Sequence, residues 1–197
     1  MVVRSIRIAK TRFRLPQGPQ ITKKYNLKSM PLILQTNKFI IEAPDNPHHD
    51  RQNGGHVKVR PIDYYLDCSQ MPLDLYSTMM QLVVLVGEAV KVVMKEKGID
   101  IVRINYQDNG NWAYFPDFGA KPNCHIHLYC RTNSEKHPDN HPRFEAFPHT
   151  LYFPYRGENP TYYKNFHPYT TDDCEDIKIK ITQLLDTSKY QHLKDKI

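Results

Sequence analysis

The sequence predicts an α+β domain in which helices cover one face of an antiparallel sheet. Three observations lead to this prediction. Short strand-like segments follow one another, with turn-forming residues between them. One long helical segment interrupts these strands without alternating with them, and a second helical segment lies near the C-terminus. The chain has no GxGxxG or GxxxxGK[ST] phosphate loop, so a parallel doubly wound fold is disfavoured.

Four segments have the composition of β-strands. Residues 32–41 are rich in apolar and β-branched residues and predict a strand or a bent pair of strands. Residues 45–55 are polar and predict a turn or loop that leads into the next strand, residues 56–61. That strand alternates valine with polar residues, which is typical of a half-exposed strand. Further strands are predicted over residues 99–107 and 123–131.

Residues 72–97 predict a long core helix with one apolar face. Pro72 suits the first helical position, and Gly98 can end the helix in a left-handed conformation. A last helix is predicted to begin at Thr171, because acidic residues follow it and complement the helix dipole. Its predicted buried stripe consists of Ile177, Ile181, Leu184 and Leu185. The Pro-, His- and aromatic-rich residues 132–168 predict long ordered loops.

The length of 197 residues predicts one domain, and 40% hydrophobic with 24% charged residues excludes collagen-like, coiled-coil and wholly disordered chains. The net charge of +6 is unevenly distributed. Residues 1–41 hold nine of the 27 basic residues and none of the acidic ones. Residues 1–28 therefore form a basic N-terminal arm, and the rest of the chain is slightly acidic.

Location and partners follow from what the sequence lacks. The longest apolar stretch, residues 82–94, is shorter than the ~20 residues of a bilayer-spanning helix, so we expect no membrane association. The N-terminus has no apolar core or cleavage site of a secretory signal, although its Arg-rich start leaves organelle targeting as a minority alternative. Four cysteines without CxxC spacing suggest reduced, buried thiols in a cytoplasmic protein.

The run NCHIHLYCR, residues 123–131, is the clearest candidate for chemistry. The two-residue period of a strand places Asn123, His125, His127, Tyr129 and Arg131 on one displayed face and apolar residues on the core face. The two histidines are then about 6–7 Å apart along the strand.

Three interpretations of this histidine pair are open. A metal site would need a third ligand, from His48, His49 or His56. Nucleophilic catalysis at phosphorus would use one neutral imidazole as the attacking group. In the third interpretation, the histidines only pack in the core or lie on the surface. The HxH spacing by itself favours this last interpretation.

A longer pattern resembles the histidine triad superfamily. Residues 125–131, HIHLYCR, resemble its signature of alternating histidines that ends in an arginine. The upstream FIIEAPDNP and GGHVKVRP resemble its strand, turn and strand with a Gly-His pair. The long helix and an asparagine-bearing strand with Asn105 follow in the family's order. The resemblance covers about residues 39–131.

This resemblance implies a nucleotide-binding α+β domain over residues 29–197, with its core at about residues 32–131 and a C-terminal extension at 132–197. The family often pairs as a homodimer. Alignment on Arg131 implies that His125 is the nucleophile that attacks the α-phosphate of a nucleotide. It implies that His127 orients this nucleophile, and that Asn123 occupies the place of the first triad histidine. The implied substrate-binding residues are Asn105, Arg131 and, at the acidic position that contacts the ribose, either Glu42 or Asp45. Trp112 lies in an aromatic connection that departs from the family pattern, and it is a candidate for stacking on a base or sugar.

The implied activity is that of a nucleotide hydrolase or nucleotidyl transferase with a nucleotidyl-histidine intermediate. Its substrate would be a dinucleoside polyphosphate, a phosphoramidate or a similar conjugate, and neither a metal nor a cofactor is expected. Asn123 cannot cycle a proton, and the family's Gly-Gln-Ser/Thr segment is not recognisable, which motivates a non-catalytic nucleotide-binding protein as an alternative. A second alternative is an enzyme that acts on adenylylated or capped nucleic-acid ends through the basic arm, which is not favoured.

Another alignment makes His125 the first triad member, His127 the nucleophile and Tyr129 the third member. It is disfavoured because it moves Arg131 away from the spacing that the family signature implies.

Overall fold

The computed structural model describes residues 31–109, 123–133 and 166–197. The basic arm, the connection that contains Trp112 and most of the predicted loops of residues 132–168 lie outside the described residues.

The described residues form a five-stranded sheet in which every neighbouring pair is antiparallel. The strands are β1 Leu32–Gln35, β2 Phe39–Glu42, β3 His56–Pro61, β4 Ile101–Gln107 and β5 Ile126–Thr132. Their spatial order is β1-β2-β3-β5-β4, which places β5 inside the sheet. The segment predicted as a bent pair of strands is the hairpin β1–β2. The predicted α+β class, with its antiparallel sheet, long helix and C-terminal helix, is confirmed.

Helix α1, Leu73–Glu96, packs on the apolar face of the sheet, and α2, Thr171–Leu185, packs against α1. α1 is long and apolar enough to cross a bilayer, but its most apolar part is mostly buried here as the core helix. The opposing apolar side chains of the sheet include Val57, Val59, Ile126 and Leu128.

Both ends of α1 and the start of α2 agree with the sequence predictions to within one residue. Pro72 is the N-cap of α1, and Gly98 follows its C-terminus with a φ of +80°. α2 begins with a capping box, in which the Thr170 hydroxyl accepts from the Asp173 amide and the Asp173 carboxylate accepts from the Thr170 amide. These ends are encoded locally, so periodicity and capping residues were sufficient to predict them.

One prediction about β5 is wrong. The histidine-bearing face was expected to be displayed, but His127, Tyr129 and Arg131 are only 4%, 0% and 6% exposed. The strand lies between β3 and β4, and aromatic rings from outside β5 cover this face. For the same reason His56, expected on a half-exposed strand, is buried. Strand β5 also begins at Ile126, so His125 lies just before it.

Candidate active site

The polar face of the sheet carries two rows of side chains that run across the strands. In the first row Glu42 on β2 is opposite Lys58 on β3, which is opposite His127 on β5. In the second row His56 is opposite Tyr129. Directly opposed residues of antiparallel strands point to the same face, so the sheet collects these side chains on the side away from α1. β4 extends both rows, with Gln107 beside His127 and Asn105 beside Tyr129.

His125 is held in one tautomer by the backbone that precedes it. Its Nδ1 lies 2.6 Å from the carbonyl oxygen of Asn123. A carbonyl only accepts hydrogen bonds, so Nδ1 must carry the proton and Nε2 must carry the lone pair. His125 is half buried, whereas His127 is almost completely buried. Of the two histidines, the more accessible one therefore has a nucleophilic nitrogen assigned by its hydrogen bond.

His127 belongs to a buried chain of hydrogen bonds that assigns the opposite tautomer. The backbone amide of His48 donates to Nδ1 of His56 over 3.2 Å. Because this Nδ1 accepts, neutral His56 carries its proton on Nε2, which lies 2.8 Å from Nδ1 of His127. Nδ1 of His127 thus accepts, and its Nε2 carries a proton that can be donated to a neighbouring oxygen.

Aromatic stacking fixes the orientation of these rings. His56 stacks on Tyr129 at a centroid distance of 4.7 Å, and His48 stacks on His56 at 5.2 Å. His127 is stacked against Tyr129 at 5.3 Å and meets His125 edge-on at 4.5 Å. We call His48, His56, His127 and Tyr129 the ring stack.

The Tyr129 hydroxyl connects the ring stack to the end of β4. It accepts from Nδ2 of Asn109 at 3.0 Å and lies 3.2 Å from Nδ1 of His48. Asn109 is not among the predicted site residues, because its polar neighbours are typical of any loop. The sequence does indicate that the Tyr129 side chain belongs to the site, because the two-residue period places it on the same face of the strand as His127.

Burial keeps the site histidines neutral. It lowers the pKa of His56 well below the ordinary range, with the neighbouring His127 as the next cause. It also lowers the pKa of His127 to about 2, assisted by His125, His48 and Lys58. The pKa of His125 is lowered as well, chiefly by burial, and the bond to the Asn123 carbonyl partly offsets this. Each imidazole is therefore uncharged at neutral pH.

The loop between β2 and β3 brings His48 over the sheet, and the C-terminal extension anchors this loop. Arg51 forms a two-pronged ion pair with Asp173 of α2, at 2.6 and 2.9 Å. The Tyr169 hydroxyl donates to the carbonyl of Gly54. Gly54 has a φ of +120° and lies so close to the backbone of Cys130 that a side chain there would collide with it.

The structure also bears on the metal interpretation of the histidine pair. His48, His56 and His127 have ligand atoms within 4.8 Å of one another, whereas Nε2 of His49 lies 3.1 Å from the Asn53 carbonyl. A metal ion needs imidazole lone pairs. In the ring stack Nδ1 of His56 accepts from a backbone amide and Nε2 carries a proton, so His56 fits a hydrogen-bond relay better than a ligand set.

Asn123 is fixed by the segment that precedes α1. Its Oδ1 accepts from the Tyr65 amide at 3.3 Å, and the amide of the next residue, Cys124, donates to the Tyr65 carbonyl at 2.7 Å. This hydrogen bond assigns Oδ1 as the acceptor atom, so Nδ2 carries the two N–H donors of the Asn123 side chain.

The predicted substrate-binding residues lie in different surroundings. Glu42 is buried, and its Oε1 lies 2.8 Å from Nζ of Lys58 and 3.6 Å from Nε of Arg60. Asp45 is half buried in a bend after β2, and Asn105 is half buried beside Tyr129. Arg131 is four residues beyond His127, about 13 Å along the strand, so it is not brought next to His125. Trp112 lies outside the described residues.

Comparisons with known proteins give structural likenesses only. No family model matches the chain, and no curated protein matches it in sequence. The chain is similar in structure to two solved histidine triad proteins. One is a hypothetical histidine triad nucleotide-binding protein from Sulfolobus tokodaii strain 7, with 16% identity and a TM-score of 0.46, covering 85% of this chain and 88% of that one. The other is a zinc-bound histidine triad family protein from Mycobacterium smegmatis, with 18% identity and a TM-score of 0.47, covering 79% and 86%.

Proposed function

We propose that this protein is a histidine triad-like enzyme that cleaves a nucleotide conjugate at its α-phosphate through a nucleotidyl-histidine intermediate. The observation that carries the proposal is the hydrogen bond from Nδ1 of His125 to the Asn123 carbonyl. This bond leaves the Nε2 lone pair of a neutral, partly accessible imidazole for attack on phosphorus.

In the proposed reaction Nε2 of His125 attacks the α-phosphorus, and the bond from phosphorus to the leaving group breaks. Water or another acceptor then attacks the same phosphorus, which releases the nucleotide and restores His125. A hydrolase and a transferase differ only in this acceptor. Nε2–H of His127 would donate to an oxygen of the phosphoryl group in both steps, and the ring stack holds that donor in place.

Lys58 is the second group that supports chemistry at phosphate. It is opposite His127 in the sheet, and its positive charge is one cause of the lowered pKa values of His125 and His127. Glu42 is shared between Lys58 and Arg60, so these three side chains carry a net positive charge beside the histidines. A positive site in a partly buried environment favours an anionic substrate.

A covalent-labelling experiment tests the proposal. The protein is mixed with a nucleoside phosphoramidate or dinucleoside polyphosphate labelled at the α-phosphorus and quenched at alkaline pH, since phosphohistidine is acid-labile. We expect label on the wild-type chain and none on His125→Ala. His192→Ala is the matched control, because His192 is exposed and bonds to Gln81 on α1. Label that persists in His125→Ala but is lost in His127→Asn would support the alternative alignment and contradict the proposal.

The restrained Asn123 side chain favours a second candidate, a nucleotide-binding protein with little turnover. Its amide can donate a hydrogen bond to a leaving group but cannot transfer a proton to it. Without a proton from Asn123, the leaving group must take its proton from water or depart unprotonated, and either route slows the cleavage step. Steady-state assays over several nucleotide conjugates, compared with equilibrium binding of the same compounds, distinguish the two candidates. Tight binding without product release would favour the second.

A further inference from the structure

A pair of thiols lies next to the proposed nucleophile and takes no part in the reaction above. Sγ of Cys68 is 2.6 Å from Sγ of Cys124, and Cys124 immediately precedes His125. Cys68 begins the short 3-10 turn Cys68–Gln70 before α1. The sequence predicts a reduced, buried thiol at each position, because the four cysteines lack CxxC spacing and are scattered through apolar patterns.

We propose that Cys68 and Cys124 are a modification site, at which a peroxide closes a reversible disulfide beside the proposed active site. The thiolate of Cys68 attacks one oxygen of hydrogen peroxide and becomes a sulfenic acid, and the other oxygen leaves as water after protonation. Cys124 then attacks the sulfur of the sulfenic acid, whose hydroxyl leaves as a second water. Two thiols and one peroxide thus give one disulfide and two waters.

The two cysteines are already held side by side by the backbone. Tyr65 lies three residues before Cys68 and makes two hydrogen bonds to the segment that contains Cys124. Its carbonyl accepts from the Cys124 amide, and its own amide donates to Oδ1 of Asn123. A disulfide has a sulfur–sulfur distance of about 2.05 Å, so closure requires a movement of only about half an ångström.

A metal site is the competing interpretation, because Oδ2 of Asp108 lies 3.3 Å from Sγ of Cys68 and 4.0 Å from Sγ of Cys124. Tetrahedral zinc with zinc–sulfur bonds of about 2.3 Å holds two thiolates about 3.8 Å apart. The observed sulfur separation is much shorter than this. The geometry therefore favours bond formation between the sulfurs.

The environment determines the order and the rate of the two steps. Cys68 is half buried and Cys124 is buried, so Cys68 is the thiol that meets the peroxide first. Burial raises the pKa of both thiols, and the neighbouring Asp108 contributes to the increase. The thiolate is the reactive form, so oxidation is expected to accelerate as the pH rises from 7 to 9.

Peptide mapping of the full-length protein tests the disulfide without any enzyme assay. The folded protein is treated with hydrogen peroxide, denatured, alkylated with iodoacetamide and digested for mass spectrometry. We expect a peptide pair linked through Cys68 and Cys124, lighter by two hydrogen atoms than the separate peptides and released by dithiothreitol. Cys68→Ser should abolish this species, and the control Cys174→Ser, in the buried face of α2, should retain it.

Two results would overturn the proposal. One is recovery of Cys68 and Cys124 as alkylated thiols after peroxide treatment, or their linkage to other cysteines instead. The other is stoichiometric zinc in the protein that protects both thiols from alkylation until it is chelated, which would support the metal site. The wild-type map is decisive even where Cys68→Ser fails to fold.

Discussion

His125 and His127 are two residues apart in the sequence but lie in different environments. His125 precedes β5, is partly accessible and donates from Nδ1 to the Asn123 carbonyl. His127 lies inside the sheet, is 4% exposed and accepts at Nδ1 from His56. The two imidazoles are therefore opposite tautomers, although the HxH pair looks symmetric in the sequence. Nε2 of His125 has a lone pair that can attack, whereas Nε2 of His127 has a proton that can be donated.

The two histidines also differ in what holds them. The partner of His125 is two residues away, so its tautomer depends on local backbone alone. His127 depends on His56, which begins β3, and on His48, which lies on the loop that Arg51 and Asp173 tie to α2. Damage to the C-terminal extension should therefore affect the ring stack before it affects His125.

The largest expected effect distinguishes the two histidines directly. His125→Ala removes the proposed nucleophile and should abolish covalent labelling, a loss of at least about 10³-fold in rate. His127→Asn removes a donor to the phosphoryl group and should reduce it by about 10²-fold, with label still formed. Single-turnover labelling kinetics measure both. Equal losses in the two variants would contradict the division of roles.

The anchor of the loop provides the second test. Asp173 accepts both prongs of Arg51 and the Thr170 amide, and its side chain is 0% exposed. Asp173→Ala leaves Arg51 without this partner and should lower the free energy of unfolding by about 3 kcal/mol in urea titrations. The matched control is Asp176→Ala on the same helix. Its carboxylate is 50% exposed and pairs with Lys97, so a loss below about 1 kcal/mol is expected.

The same pair has a pH dependence whose sign is fixed. Burial alone would raise the pKa of Asp173, but hydrogen bonds from Arg51 and Thr170 outweigh it and hold the pKa below the ordinary value. A carboxylate with a depressed folded pKa stabilises the fold above the unfolded pKa of about 3.9 and loses this contribution as the pH falls below it. The stability difference between wild type and Asp173→Asn should therefore be constant from pH 7 to 5 and shrink below about pH 4. A difference that grows on acidification would contradict the assignment.

A further test is the decrease of the labelling rate at acid pH, which we call the acid limb of the pH–rate profile. Only neutral His125 is nucleophilic, and burial lowers its pKa below the ordinary value of about 6.5. The rate should therefore fall at acid pH with a midpoint below pH 6.5, and by about tenfold for each pH unit well below that midpoint. His127, with a pKa of about 2, does not titrate in this range, so His127→Asn should leave the limb in place. A limb centred above pH 6.5 would indicate a different titrating group.

The elements of the fold were predictable because local patterns encode them. Apolar periodicity with Pro72 and Gly98 predicted α1 to within a residue at each end, and Thr170–Asp173 capping fixes the predicted start of α2. The alternation in residues 56–61 gave β3. The alternation did not predict that His56 is buried. The ring that covers His56 belongs to His48, which lies eight residues earlier in a loop.

The site was less predictable because its contacts join distant parts of the chain. Spacing could not choose among His48, His49 and His56 as neighbours of the histidine pair, whereas the fold brings His48 and His56 to His127. Arg51 and Asp173 are 122 residues apart, and no local pattern pairs them. The predicted faces of β5 were useful for grouping His127 with Tyr129, but strand order decided that both are buried.

The smallest expected effect concerns Tyr129, which the alternative alignment makes the third triad member. Tyr129→Phe removes the hydroxyl that bonds Asn109 and His48 but keeps the stacked ring. It should lower stability by about 1–2 kcal/mol, since a buried hydrogen-bond pair is lost. The labelling rate should fall less than tenfold, because the bond that fixes the His125 tautomer is untouched. Tyr64→Phe, at a residue 56% exposed, is the control and should change neither quantity. A loss of labelling in Tyr129→Phe as large as in His125→Ala would show that the hydroxyl takes part in the chemistry and would contradict this prediction.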